Sequence, residues 1–320
     1  MKTNKILLST LAIFGLASCA TPENFTIRTI SPTGAPTIAF YDKWLDTTNF
    51  VTSTGPLVLA EFQKGDYEAI AYDSTTALSK LSTYSTDYKF VKLLTGGNLY
   101  LTSINKDANA MPTSDDIVVG FQKQGVPGKV FQKLMDDYWN LDATVEWAGD
   151  AATAKAVLET GKYNGIDVDY VFMAQPALQT VLANTSIEHD IKVIKNIKEE
   201  WKSFTGQDAI PQAGLFVKQS SYDAHKTEYN QYFDYIDANL ELALTNPIAI
   251  KESIESQIPN AQQQGARYGY PAAVMAKVQQ NGNNGFGVVD PDTTYGMNEI
   301  NAFLTALGEE TISEQYFLVK

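Results

Sequence analysis

The spacing of apolar and polar positions changes twice within residues 62–81, FQKGDYEAIAYDSTTALSKL. A helical spacing stops at Gly65. The run 67–72 then reads as a buried strand, and Asp73-Ser74-Thr75-Thr76 offers capping oxygens for a new helix. The stretch 158–178, LETGKYNGIDVDYVFMAQPAL, echoes it: Gly65, Tyr67, Ile70 and Asp73 recur as Gly161, Tyr163, Ile166 and Asp169 at a constant offset of 96. Gly34, Pro36 and Phe40 match Gly125, Pro127 and Phe131 at an offset of 91, and Val51 and Gly55 match Val145 and Gly149 at 94. Offsets that rise along the chain are those of two copies separated by small loop insertions. The pattern predicts two similar α/β lobes, each with three strand–loop–helix steps, whose equivalent loops face one another across a cleft.

The remaining elements fit that scheme. In the first lobe, strands are predicted at 25–30, 49–53, 67–72 and 90–94. Pro36 opens a helix to about Leu45, because a proline at the first helical turn sacrifices no hydrogen bond. The loop Thr33-Gly34-Ala35 before it either offers free amide groups to an anion or a carbonyl or is a plain strand–helix turn, and Thr54-Gly55-Pro56 starts the helix that Gly65 ends. Gly96-Gly97-Asn98 leads to a strand at 99–104 that crosses into the second lobe. There, strands are predicted at 116–121, 144–147, 166–169 and 192–197, with helices from Pro127 and Asp150. The segment 211–217 returns to the first lobe. Helices follow at 222–244, 248–258, 271–280 and 297–307, and 281–287 is a loop that either edges the cleft or connects.

Composition narrows the function. The 320 residues suit two domains, and 44% hydrophobic residues are enough for packed cores. A formal net charge of −13 without Lys/Arg clusters excludes a phosphate backbone as partner. With two histidines and one cysteine, the chain has little for a zinc site or a thiol nucleophile, and no internal disulfide can form. The pair Asp167 and Asp169 is too few ligands for a metal, so no metal and no cofactor are expected. The hydrolase signature G-x-S-x-G is absent. Ser103-Ile104-Asn105-Lys106 fits S-x-x-K but lacks the partner motifs S-D-N and K-T-G.

The N-terminus reads as a targeting segment. Lys2 and Lys5 precede an apolar run from Ile6 to Leu16, too short to span a bilayer. Leu16-Ala17-Ser18-Cys19 resembles the lipobox of bacterial lipoproteins. That resemblance implies a signal peptide at 1–18, lipid on Cys19, a tether at 19–24 and an extracytoplasmic, membrane-anchored body.

The stretches SPTGAPTIAFY, FQKGDYEAIAYDS, VGFQKQGVPGKV and LETGKYNGIDVDYVFMAQP together resemble the solute-binding lipoproteins of ABC importers. The nearest branch holds aliphatic-sulfonate, nitrate and thiamine-pyrimidine-precursor binding proteins. The resemblance covers 25–218 and implies a type II periplasmic binding protein fold: two α/β lobes joined by a two-strand hinge. Lobe I would comprise 25–101 plus 214–320, and lobe II 102–213, with hinges near 101–105 and 213–217. It also implies a monomer that hands a small solute to a membrane permease. A sensor or surface lipoprotein without a permease is the alternative, as is an enzyme on this fold; a fungal pyrimidine synthase of this fold uses histidine and cysteine chemistry that the chain lacks.

Two departures shift the expected solute. Asp73 stands where a small or apolar residue is common, and Asp169-Tyr170 would make the second rim acidic and aromatic. Gln175-Pro176 replaces a frequent Glu-Pro. The solute is therefore expected to be uncharged or cationic and ring-containing. The candidate contacts are Thr33, Gly34, Ala35, Tyr41, Ser53, Thr54, Tyr72, Asp73, Ser74, Gly97, Asn98, Gln122, Gln124, Gly125, Trp147, Asp169 and Tyr170. Tyr41, Trp44, Tyr72, Tyr100, Trp147 and Tyr170 are the rings able to stack, each such contact adding about 0.5–1.5 kcal/mol beyond area burial. Lys123 is a possible cation for an anionic group, though a solvated lysine is the simpler reading.

Overall fold

A computed structural model describes residues 25–43, 45–84, 86–280, 284–293 and 295–319. The leader, the tether with Cys19, and Trp44 lie outside the described residues. The chain opens with β1 (Thr29–Pro32), a 3-10 helix (Ala35–Phe40), β2 (Phe50–Ser53), α1 (Gly55–Lys64), β3 (Ala69–Asp73), α2 (Ser74–Leu81) and β4 (Tyr88–Thr95). It continues with β5 (Leu99–Ile104), β6 (Ile117–Phe121), α3 (Val126–Lys133), a π-helical turn (Leu134–Tyr138), β7 (Thr144–Ala148) and α4 (Ala151–Thr160). A hairpin, β8 (Lys162–Tyr163) and β9 (Ile166–Asp167), precedes β10 (Tyr170–Ala174), α5 (Ala177–Leu182), β11 (Ile191–Asn196) and α6 (Ile197–Thr205). The return is β12 (Ala213–Lys218), followed by α7 (Gln219–Ala224), α8 (Lys226–Thr245), α9 (Pro247–Gln257), α10 (Ala261–Tyr268), α11 (Ala272–Gln279) and α12 (Met297–Leu307).

The strands form two five-stranded sheets, ordered β2-β1-β3-β12-β4 and β11-β5-β10-β6-β7. Alternation along the first sheet explains its two cores. Ala69, Ala71, Leu215 and Val217 face one side, against the 3-10 helix and α8–α11. Ile30, Ile70, Phe90 and Phe216 face the other, against α1, α2 and α12. The second sheet has its own core, built on Leu101, Val119, Phe131, Phe172 and Trp201.

The chain crosses between sheets at 96–98 and again at 206–212. The expected hinges, 101–105 and 213–217, and the lobe boundaries drawn from them are therefore displaced. Residues 99–104 are wholly strand β5 in the second sheet, and 213–218 are strand β12 in the first. The apolar character of both stretches reflects burial inside a sheet, which a hinge does not need. The first strand also begins later than expected, and the 222–244 helix is two helices that meet at His225. Of the expected 281–287 loop, residues 284–287 pack onto the first crossing: Phe286 is buried, and the Gly96 N–H donates to the Gly287 carbonyl at 2.6 Å.

Helix α12 ties the lobes at the back. Its Ile300 and Leu304 belong to the core of the first sheet, while Phe303 packs in the core of the second, 5.3 Å from the Trp201 ring. Phe303→Ala is expected to cost about 3–5 kcal/mol, the range for truncating a fully buried aromatic. Urea unfolding followed by tryptophan fluorescence checks this; a loss under 1 kcal/mol would mean that α12 is not a structural tie.

Candidate interlobe cleft

In parallel α/β sheets the carboxyl ends of the strands and the helix N-termini that follow share one edge. On the first sheet this edge carries the loops after β1, β2 and β3. On the second it carries the loops after β6, β7 and β10. The two edges face one another, and a polar contact at Asp73 links them. Asp73 ends β3 and caps α2: its Oδ1 accepts from the Thr76 N–H at 2.8 Å. Its Oδ2 reaches across and accepts from the Val126 N–H at 3.3 Å, at the first turn of α3. That amide has no partner within its own helix, so the carboxylate of one lobe closes the helix N-terminus of the other.

Local sequence explains why α3 can approach so closely. The loop 122–125 folds back on the helix, with the Gly125 N–H donating to the Gln122 carbonyl at 2.9 Å. A Cβ on Gly128 would lie 2.5 Å from the Gln122 carbonyl oxygen and from the Lys123 Cα, so only glycine fits there. Lys129, on the next turn, pairs with Glu309 at 2.5 Å, a second ionic tie across the lobes.

The floor is a knot around Gln212, in the second crossing. Its side-chain Oε1 accepts from the N–H groups of Gly97 (2.7 Å) and Asn98 (2.8 Å), in the first crossing. Its main chain accepts from the Ser74 N–H at 2.7 Å and donates to the Thr95 carbonyl at 3.1 Å. Gly97 needs its φ of 114°, and a side chain there would press on Lys198. Asn98 is buried. Its Nδ2 donates to the Gln175 carbonyl at 2.7 Å, and its Oδ1 has no hydrogen-bond partner among the described residues.

Of the residues expected to contact a solute, Thr33, Gly34, Ala35, Ser53, Thr54, Tyr72, Asp73 and Ser74 lie along the first edge. Gly97 and Asn98 lie at the floor, and Gln122, Gln124, Gly125 and Trp147 along the second edge. Several of their amides are already engaged: Gly34 donates to the Tyr268 carbonyl, and Gly97 and Asn98 to Gln212. The Tyr72 hydroxyl reaches toward Gly55 at the start of α1, and burial, with the nearby Asp73 charge, pushes its pKa up to about 12. Trp147 lies over Gly120, with the Lys123 ammonium 5.8 Å from its ring. Gln212 and Lys129 carry no expectation in the sequence, and Gln175 stands out there only as the Gln-Pro in place of a frequent Glu-Pro; a single glutamine or a helical lysine gives no local signal of a crossing chain.

Three expected contacts lie elsewhere. Tyr41 follows the far end of the 3-10 helix, roughly 12 Å from the edge at 2 Å per residue, and packs against the α8–α11 core. Asp169 and Tyr170 sit at the amino end of β10, opposite the cleft. Asp169 pairs there with Lys106 at 3.0 Å and accepts from the Ile117 N–H, and Tyr170 is fully buried. Asp167 pairs with Lys162 in the same distal region. The displacement comes from the β8–β9 hairpin. Both helices stop at left-handed glycines, Gly65 and Gly161, so the offset of 96 holds there. The hairpin then intervenes, and the equivalent strands β3 and β10 are offset by 101. Its turn, Asn164-Gly165 with φ of 50° and 82°, is a strong sequence signal for a two-residue hairpin and would have revealed the insertion.

No protein-family profile matches the chain, and no curated protein matches it in sequence. Solved structures do. The ligand-binding component of an ABC-type import system from Staphylococcus aureus, solved with zinc, superposes with a TM-score of 0.67 at 10% identity, covering 92% of this chain and 96% of that one. An ABC transporter protein from Parabacteroides distasonis gives 0.62 at 16% identity, covering 92% and 99%. The alkanesulfonate-binding protein SsuA from Xanthomonas axonopodis pv. citri, bound to MOPS, gives 0.58 at 13%, covering 92% and 96%. The chain has the periplasmic binding protein fold. Within that fold the contact between Asp73 and α3 joins the two lobes at their facing edges. No helix among the described residues is long and apolar enough to cross a membrane.

Burial holds the Asp73 carboxyl above the ordinary carboxylate range, against the opposing pull of the Thr76 and Val126 N–H groups and the Lys129 charge. A raised carboxyl pKa means that the folded state holds the proton more tightly than the unfolded state. The cost of the charge is fully present above the folded-state pKa and fades as pH falls toward the unfolded value of 3.8. Asp73→Asn keeps the capping oxygen and is expected to melt at or above the native temperature at pH 7, the gain shrinking toward pH 4. Scanning calorimetry across that range checks it; a variant that loses stability most at pH 7 would reverse the assignment.

Proposed function

We propose that the chain is the extracytoplasmic solute-binding component of an ABC importer, and that it binds a small, uncharged or cationic, ring-containing solute between its lobes. The observation that carries this reading is the pair of facing strand edges, linked by two chain crossings and meeting at Asp73 and the start of α3. Fold neighbours that are import-system binding proteins support it. The solute docks against the loops of one lobe, with Tyr72 and Asp73 on one wall, Asn98 at the floor, and Gln122, Gln124 and Trp147 on the other. The second lobe then rotates about 96–98 and 206–212 to enclose it. The role is binding and delivery to a permease rather than catalysis. Anchoring through lipid on Cys19, after removal of residues 1–18, keeps a monomeric body at the membrane surface.

A thermal-shift screen of vitamins, their precursors, amino acids and sulfonates tests the reading. A true solute at a hundredfold excess over its Kd adds about 2.7 kcal/mol, which raises Tm by about 4 °C for a chain of this size. If no solute moves the transition of well-folded protein, the binding role is wrong.

A further inference from the structure

We propose that Asp73 sets the charge selectivity of the cleft: by resting its own carboxylate on the N-terminus of α3 it excludes oxyanionic solutes, leaving a cleft that prefers protonated hydrogen-bond donors. This rests on the solute-binding reading above and names the chemistry that the same site would select.

The argument starts from the Val126 N–H. A helix N-terminus attracts negative charge through its unpaired amides and its dipole, and it would be the natural seat for a sulfonate or phosphate held between the lobes. Here that seat faces a carboxylate that belongs to the site whether the lobes are closed or parted, since Asp73 is fixed at the end of β3 and anchored to Thr76. A solute oxyanion would have to displace the carboxylate and then sit beside it, two like charges in a partly desolvated space. Lys129, the cation whose charge bears on Asp73, is itself paired with Glu309, and Lys123 on the same wall lies over the Trp147 ring.

A donor solute meets the opposite situation. As the lobes part, Asp73 Oδ2 loses only a 3.3 Å contact and becomes free to accept a shorter, charge-assisted bond. The floor offers a second acceptor: Asn98 Oδ1, buried and without a hydrogen-bond partner among the described residues, on a residue 6% exposed. Asp73 and Asn98 belong to one bonded network, through Ser74 and Gln212. Asp73 and Thr95 both pair with Ala213 of β12, which puts those two strand ends near 10 Å apart at about 4.8 Å per strand, and Asn98 follows Thr95 by three residues.

Isothermal titration of the purified protein with benzamidinium and with benzenesulfonate compares opposite charges on one ring. The native chain should bind benzamidinium at least tenfold more tightly. Asp73→Asn, isosteric and still able to cap α2, should cut that preference at least tenfold, with the fold checked by circular dichroism. Asp73→Ser, which vacates the α3 terminus, should gain affinity for benzenesulfonate. The proposal is overturned if the native chain favours benzenesulfonate, or if Asp73→Asn leaves the ratio unchanged. It is also overturned if the native chain binds neither probe while another solute still raises Tm; that last outcome spares the transport reading, whereas silence towards every solute removes both.

Discussion

The two lobes stay in register because one side chain holds both chain crossings. Gln212 takes the N–H groups of Gly97 and Asn98 on its Oε1, while its backbone is bonded to Ser74 and Thr95. Without it, two adjacent amides in the crossing would be left unpaired in a buried place, at about 1–3 kcal/mol each. The same knot fixes where the floor of the cleft lies. It joins the end of β3, which carries Asp73, to the start of β5, which carries the second sheet. In the proposed closure the lobes pivot around this knot, with Gly97 giving the backbone its freedom on one side. Phe286, Val288 and Val289 brace it from the first lobe, and α12 spans the back.

Much of this was legible in the amino-acid pattern, and the reasons for the rest are specific. Glycine stops, proline starts and capping aspartates are local chemistry, so α1, α3 and α4 and the strands beside them could be read directly. The two-lobe plan followed from the repetition of those signals. Register did not survive, because a four-residue echo cannot distinguish a conserved helix stop from a conserved strand. Tyr163, Ile166 and Asp169 matched Tyr67, Ile70 and Asp73 in type, yet the first two lie in the hairpin and the third beyond it. The crossings were misplaced for a different reason. The apolar stretches 99–104 and 213–217 are buried strands, whereas the crossings are the polar and glycine-containing 96–98 and 206–212, held by pairing between residues more than a hundred positions apart.

Asp73 is where local and global demands diverge. As a cap for α2 it is ordinary, since Asn or Ser would do the same for the helix. Its partners across the cleft do not fully compensate for its burial, which is why its carboxyl is held above the usual range. A position that only needed a cap would relax to a neutral residue and gain stability. Keeping a carboxylate there makes sense if the charge acts on something that enters the cleft. Lys129 fits the same logic: it lies close enough to Asp73 to favour the charged form, but its own ion pair is with Glu309. Asp73 thus adds a negative charge at the contact, with Lys123 beside Trp147 on the opposite wall, in a chain that is already acidic overall. In the proposed selection a cation is drawn by that carboxylate and by the long-range field of the acidic chain.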